Sequence, residues 1–160
     1  MRLILLSDTH GDFGSAQRII LSQPTAEAVL FMGDGVSELE DLACLHPEKM
    51  FCLVRGNMDW NSEHPSLQVE EFCGVRILML HGNGYDVGHG SPALRKLAAG
   101  YGAQVVAYGH THVADTDYED GVYYLNPGSA RRPRDDTRPS YMTLDLTPSG
   151  ILPNVIRFER

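Results

Sequence analysis

A chain of 160 residues with 42% apolar side chains has enough material for one substantial globular domain, and its composition excludes disordered and collagen-like classes. The formal charge of −8 argues against sequence-independent binding to long nucleic acid, which needs a broad basic surface. It leaves small phosphorylated ligands open, because two dications reverse the field inside a single pocket.

Leu3 to Leu6 is a continuous apolar run, as expected of a strand buried on both faces. So direct an entry into a strand leaves no room for a signal peptide, and no stretch approaches the ~20 apolar residues of a membrane span. Phe13 to Leu21 carries helical spacing that ends before Pro24. Ala28 to Met32 is a second strand, Val36 to Leu45 a helix, and Met50 to Val54 a third strand stopped by Arg55-Gly56-Asn57. Glu70 to Cys73 and Val75 to Leu80 read as two strands around a tight turn. Asn83 to Gly90 is a glycine-rich loop, and Ser91-Pro92 opens a helix that runs to about Tyr101. Val105 to Tyr108 is a strand, and Val113–Tyr118 and Val122–Asn126 flank the Asp120-Gly121 hairpin signal. Tyr141–Leu146 and Val155–Phe158 are the last predicted strands.

Alternation of strand and helix in the first half, followed by hairpins, predicts two sheets packed face to face with helices outside, in a single domain. The three cysteines, Cys44, Cys52 and Cys73, include no C-x-x-C pair, which fits a reducing cytoplasm. Their apolar neighbours predict core packing for all three.

Seven side chains with metal-ligand chemistry recur where these strands end: Asp8 and His10, Asp34, Asn57, His81, and His110 and His112. In open α/β sheets, ligands gather beyond the carboxyl ends of the strands. In Asp-x-His and His-x-His, alternate residues of an extended segment point the same way. Glycines beside them, Gly33 and Gly56 among others, permit close backbone approach. A lone Asp-Gly or a single histidine is turn chemistry, but turns do not demand four histidines. Mixed imidazole and carboxylate donors suit Mn, Fe, Ni or Zn better than Ca, and the weak amide ligand Asn57 points to an open, catalytic site.

In order and spacing, Asp8-x-His10, Gly33-Asp34, Gly56-Asn57-x-Asp59, His81-Gly82 and Gly109-His110-Thr111-His112 resemble the calcineurin-like metallophosphoesterases. Arg55 and Asn126-Pro127-Gly128-Ser129 look like the small prokaryotic YfcE-type phosphodiesterase branch. The resemblance implies a four-layer α/β/β/α sandwich with two divalent metal ions, Mn first, with Fe, Ni, Zn or Mg also used. It assigns Asp8, His10, Asp34 and His112 to one ion, and Asn57, His81 and His110 to the other with Asp34 bridging. Homodimers are consistent with the family.

Two positions depart from the family pattern. Met58 stands where many members have histidine, and Asn83 replaces the second histidine of His-Gly-His. Asn83 can still hydrogen-bond phosphate but cannot donate a proton as imidazolium does. Two metals lower the pKa of a bridging water to roughly 7, and in-line attack on phosphorus then needs no protein nucleophile. Without a strong general acid, aryl phosphodiesters are expected to react better than alkyl esters. His89 is a substitute acid to weigh against an exposed loop histidine, and His46 and His64 read as loop residues.

Asp34, Asn57, Asp59 and Asn83 are the expected catalytic residues, with Asp59 orienting Asn57 or pairing with Arg55. Arg55, Asn83 and Arg134 are the expected substrate contacts, Arg134 lying in the basic stretch with Arg131, Arg132 and Arg138. The rival reading is a metallophosphoesterase fold used as a binding scaffold, like retromer's scaffold subunit.

Overall fold

The computed structural model describes residues 1–159 and holds two five-stranded mixed sheets. The first sheet is built from β1 (Arg2–Leu6), β2 (Ala28–Phe31), β3 (Met50–Leu53), β9 (Ser140–Thr147) and β10 (Gly150–Arg157), in the order β10-β9-β1-β2-β3. The second joins β4 (Leu67–Phe72), β5 (Val75–Leu80), β6 (Val105–Ala107), β7 (Ala114–Glu119) and β8 (Val122–Pro127), in the order β4-β5-β6-β8-β7. Strands β1, β2 and β3 run parallel, as do β5, β6 and β8. Strand β9 pairs antiparallel with β1 and β10, β4 with β5, and β7 with β8, while the edge strand β3 pairs parallel with β2.

Strand alternation builds the layers. Leu3, Leu5 and Leu30 of the first sheet meet Ile77, Met79 and Val105 of the second in a shared core between the sheets. The alternate residues Ile4, Leu6, Val29 and Phe31 pack against Ile19 and Ile20 of α1 (Phe13–Ser22) and Leu39 and Leu42 of α2 (Val36–Leu45). On the far side, Leu78, Leu80 and Val106 pack on Leu94 and Ala98 of α3 (Pro92–Tyr101). Both faces of the inner strands are therefore apolar, which explains their unbroken hydrophobic runs. The result is the expected α/β/β/α sandwich.

Local signals act as their chemistry requires. Asp12 caps α1 by accepting from Ser15 N (3.0 Å), and Ser91 caps α3 through Leu94 N (3.3 Å), with Pro92 in its first turn. Asp120-Gly121 forms its hairpin with both residues at positive φ, 51° and 84°.

Three expectations need correction. Strand β10 begins at Gly150 rather than Val155. Pro153 interrupts the apparent pattern but is accommodated because β10 lies at the sheet edge, where a missing N–H can face outward. Strand β4 begins at Leu67 rather than Glu70. Of the cysteines only Cys52 is buried, with its thiol pushed up to about 11 by burial. Cys44 is exposed on α2, and Cys73 is exposed at a turn position with φ 52°.

Candidate metal centre

Parallel strands end on the same side, so β1, β2, β3, β5 and β6 bring their following loops to one edge of the sandwich. Asp8 and His10 follow β1, Asp34 follows β2, Asn57 follows β3, His81 follows β5, and His110 and His112 follow β6. Five of these seven have left-handed backbone: Asp8 (φ 55°), His10 (46°), Asp34 (61°), His110 (69°) and His112 (62°). Such strain persists only where surrounding structure over-determines it, and it concentrates at functional sites.

The over-determination is visible bond by bond. Asp59 accepts four backbone N–H groups: Asp34 (2.7 Å) and Gly56 (2.8 Å) on Oδ2, Gly35 (2.9 Å) and Val36 (2.9 Å) on Oδ1. It thereby ties the loop after β2 to the loop after β3 and caps α2, whose own N-cap is a glycine. Gly56 is obligatory here, since a methyl group on it would overlap Asp34 Oδ1. Glu38, buried on α2, does the same for the loop after β1, accepting from Gly11 N (2.6 Å) and Thr9 Oγ1 (2.8 Å). Ser129 Oγ donates to Asp8 O (2.8 Å), Asn126 Nδ2 donates to Gly109 O (3.0 Å), and Arg131 donates to His10 O.

Each carboxylate has one oxygen clamped and one presented. Asp8 Oδ2 accepts from Ser7 Oγ (2.7 Å) and His110 N (3.1 Å), while the buried Oδ1 has no hydrogen-bond partner. Asp34 Oδ1 accepts from Met58 N (2.8 Å), and its Oδ2 lies 3.4 Å from His81 Nε2 and 4.0 Å from His10 Nε2. Two histidines are locked in one tautomer by carbonyls that can only accept: Nδ1–H of His81 donates to Met32 O (2.6 Å), and Nδ1–H of His112 donates to Arg132 O (2.7 Å). In its neutral form, His112 then aims a bare Nε2 lone pair at Asp8 Oδ1 (3.2 Å) and His10 Nε2 (3.2 Å). His81 Nε2 likewise faces His110 Nδ1 at 3.3 Å.

Facing lone pairs and anionic oxygens repel unless a cation sits among them, either a proton or a metal ion. Asp8, His10 and His112 form one group whose donor atoms lie within 4.8 Å of one another, and Asp8, Asp34 and His81 form another. The orphaned Asp8 oxygen and the imidazole-rich donor set fit divalent metal.

Without metal, protons fill the role unevenly. Burial disfavours imidazolium at all four histidines. At His81 the nearby Asp34 carboxylate, and at His112 the nearby Asp8 carboxylate, overcome that penalty and raise the pKa above the ordinary 6.5. At His10 and His110 burial prevails and the pKa falls. Burial also opposes ionisation of Asp34, yet its contact with His81 holds the carboxyl below 3.8.

The remaining predicted residues surround this cluster. Arg134 lines a cleft of about 800 Å³ together with His10, Asp34, His112, Arg131 and Arg132, and its N–H donates to His112 O (3.4 Å). Asn57, Arg55 and Asn83 share a smaller pocket of about 270 Å³ with Asp59. Arg55 donates to Ser62 O (3.4 Å) rather than pairing with Asp59, whose carboxylate is taken by backbone amides. His89 stands 3.8 Å from both Asp115 and Asp117 on β7. His46 pairs with Glu48 (3.4 Å), and His64 with Glu40 (3.1 Å). Sequence reasoning missed Glu38: a glutamate in the first turn of a helix reads as favourable charge at a solvated terminus, and only the fold turns it inward.

Two stacked mixed sheets closing a histidine–aspartate cluster at one edge define a metallophosphoesterase fold. The chain belongs to the calcineurin-like phosphoesterase superfamily, whose domain model matches residues 1–149. This is a family of divalent-metal-dependent phosphoric ester hydrolases. The chain is 30% identical over 147 residues to the probable metallophosphoesterase YsnB of Bacillus subtilis, covering 91% of this chain and 85% of that protein. It is 25% identical over 167 residues to the phosphodiesterase YfcE of Escherichia coli, covering 91% and 88%. Among solved structures, a predicted phosphoesterase from Streptococcus pneumoniae TIGR4 superimposes with a TM-score of 0.83 at 28% identity, covering 98% of this chain and 88% of that one.

Proposed function

We propose that the protein is a two-metal phosphodiesterase acting on small phosphodiesters. One observation carries the reading: the buried, partnerless Oδ1 of Asp8 faces the lone pair of a tautomer-locked His112, within a cluster that also presents Asp34 to His81. Asp8, His10, Asp34 and His112 would hold one ion, and Asp34, Asn57, His81 and His110 the other, with Mn the first candidate. When bound, two such dications supply an acidified water and neutralise phosphoryl charge.

The chain's own groups do the rest. Arg134, with Arg131 and Arg132, gives the cleft a positive wall for the phosphoryl oxygens. Arg55 and the Asn83 amide offer further donors from the adjoining pocket. Asp59 and Glu38 hold the ligand loops in their strained conformation, so the donors need no rearrangement. The positions that carry histidine in many relatives hold Met58 and Asn83, and His89 is turned to Asp115 and Asp117. No imidazolium stands ready to protonate a departing oxygen. Esters whose leaving group departs readily as an anion are therefore favoured.

The test is hydrolysis of bis-p-nitrophenyl phosphate and p-nitrophenyl phosphate by metal-stripped protein with Mn, Ni, Zn or Mg restored, beside the His81→Ala protein. Metal-dependent diester cleavage that collapses in the variant is expected, together with kcat/KM falling steeply as leaving-group pKa rises. Two bound ions without turnover under any metal would favour a binding scaffold instead.

A further inference from the structure

Trp60 is the chain's single tryptophan and is 81% exposed, an unusual position for so large a ring. It does not stand alone. Met58, two residues earlier, is 54% exposed, and both line a groove of about 740 Å³ that runs beside the metal cleft. The groove and the cleft adjoin, since Ser37, Met58 and Asp59 line both. Trp60 also borders the small pocket that contains Asn57 and Asn83. The ring therefore lies between the groove and the small pocket, one residue along the chain from Asp59, which lines the metal cleft as well.

Charge separates the two ends of this surface. The cleft ends in Arg131, Arg132 and Arg134, whereas the groove carries Glu63 and the Glu40 carboxylate paired with His64. A molecule lying along both needs an anionic head and an uncharged, flat tail bearing hydrogen-bond donors. Further phosphates on the tail would meet the glutamates, which excludes a polynucleotide strand. A nucleobase meets the requirement: its face stacks on indole, and the exocyclic amino group of adenine, guanine or cytosine donates to carboxylate. A simple alkyl group can pack on Trp60 but offers no donor to the glutamates.

We infer that the Met58–Trp60 groove is a nucleobase subsite, and that the protein's substrates are phosphodiesters carrying a single nucleoside. The inference rests on the phosphodiesterase reading for its anionic end only. It makes Trp60 a specificity determinant rather than a catalytic residue.

Because Trp60 is the only indole, its fluorescence reports on this groove directly. The metal-loaded protein would be titrated with adenosine 5′-monophosphate, the kind of product such a diester leaves, and with ribose 5-phosphate as the base-free control. Calorimetry would measure both affinities independently. The nucleotide is expected to quench the emission and to bind about tenfold tighter than the sugar phosphate, the contribution of one stacking contact. Trp60→Ala should erase that tenfold preference without altering ribose 5-phosphate binding, and Trp60→Phe should keep most of it. The exposed position makes both variants compatible with folding, which circular dichroism would verify.

Equal affinities for the two ligands, or a preference that survives Trp60→Ala, would overturn the inference. So would a concentration-dependent emission shift accompanied by a doubling of mass that Trp60→Ala abolishes, which would assign the face to a second copy of the chain. The two readings fail separately. Base preference without diester turnover under any metal would remove the hydrolase and leave the subsite. Diester turnover without base preference would do the reverse.

Discussion

The two sheets contribute unequally to the candidate metal centre. The first delivers both carboxylates and one imidazole, from the loops after β1 and β2, whereas the second delivers three imidazoles and no carboxylate, from the loops after β5 and β6. Neither sheet alone presents a plausible site for two dications. The negative charge that attracts them comes from one side of the sandwich, and most of the neutral nitrogen that selects among them comes from the other. Ion binding at this cluster would therefore report on the docking of the sheets.

Removing carboxylates and imidazoles in turn would test that division most forcefully. Asp34→Ala should lose both ions and all metal-dependent turnover, because Asp34 Oδ2 faces histidines from both sheets. His81→Ala should lose one ion and retain the other on Asp8, His10 and His112. Metal content after dialysis decides the matter, and if Asp8→Ala rather than Asp34→Ala emptied both positions, Asp8 would be the shared ligand. Next in size are the residues that hold loops within the first sheet. Asp59→Ala or Glu38→Ala should weaken metal affinity by about 10–100-fold, through positioning alone. An unchanged affinity would mean that the strained loops need no such support.

A milder perturbation is pH, which should act mainly through the second sheet. The raised pKa values of His81 and His112 mean that protons occupy Nε2 in the metal-free protein at and somewhat above pH 6.5. Metal must displace them, so affinity should fall as pH drops through this range, and calorimetry in buffers of different ionisation enthalpy should show proton release. Binding independent of pH through this range would contradict the raised pKa of these two rings. Smallest of all, Leu152→Ala on the exposed edge strand β10 should change stability by no more than about 0.5 kcal/mol in a denaturant titration.

Much of this architecture is legible in the chain because burial on both faces writes itself as unbroken apolar runs, from Leu3–Leu6 through Val105–Tyr108. What escaped notice lies where burial is one-sided or the decisive contact is remote. The edge strand β10 is half-polar and contains Pro153, so its start was hidden. Cys73 sits beside apolar Phe72 in sequence but takes the turn itself. The clustering of Asp8, His10, Asp34, His81, His110 and His112 followed from strand-end placement. Their left-handed backbone did not, although aspartate and histidine tolerate it better than most residues. Asp59 and Glu38 illustrate the limit most clearly. Glu38 was a plain acidic residue in sequence, and Asp59, expected to orient Asn57 or pair with Arg55, instead gathers backbone amides; their work depends on amides 24, 25 and 27 positions away.

The four amides gathered by Asp59 have a consequence for how such an enzyme can be diversified. The interval from Gly56 to Asp59 acts as a ruler, since one carboxylate must reach both its own loop and the start of α2. Adding or deleting a residue within it would pull the ligand loops apart. From Trp60 onward the backbone is tied at Ser62, to Asp59 O and the Arg55 side chain, until Arg55 N meets Pro65 O. Insertions and new side chains are tolerated there first, so the proposed substrate-reading face can be rewritten while the frame of the candidate metal centre keeps its dimensions.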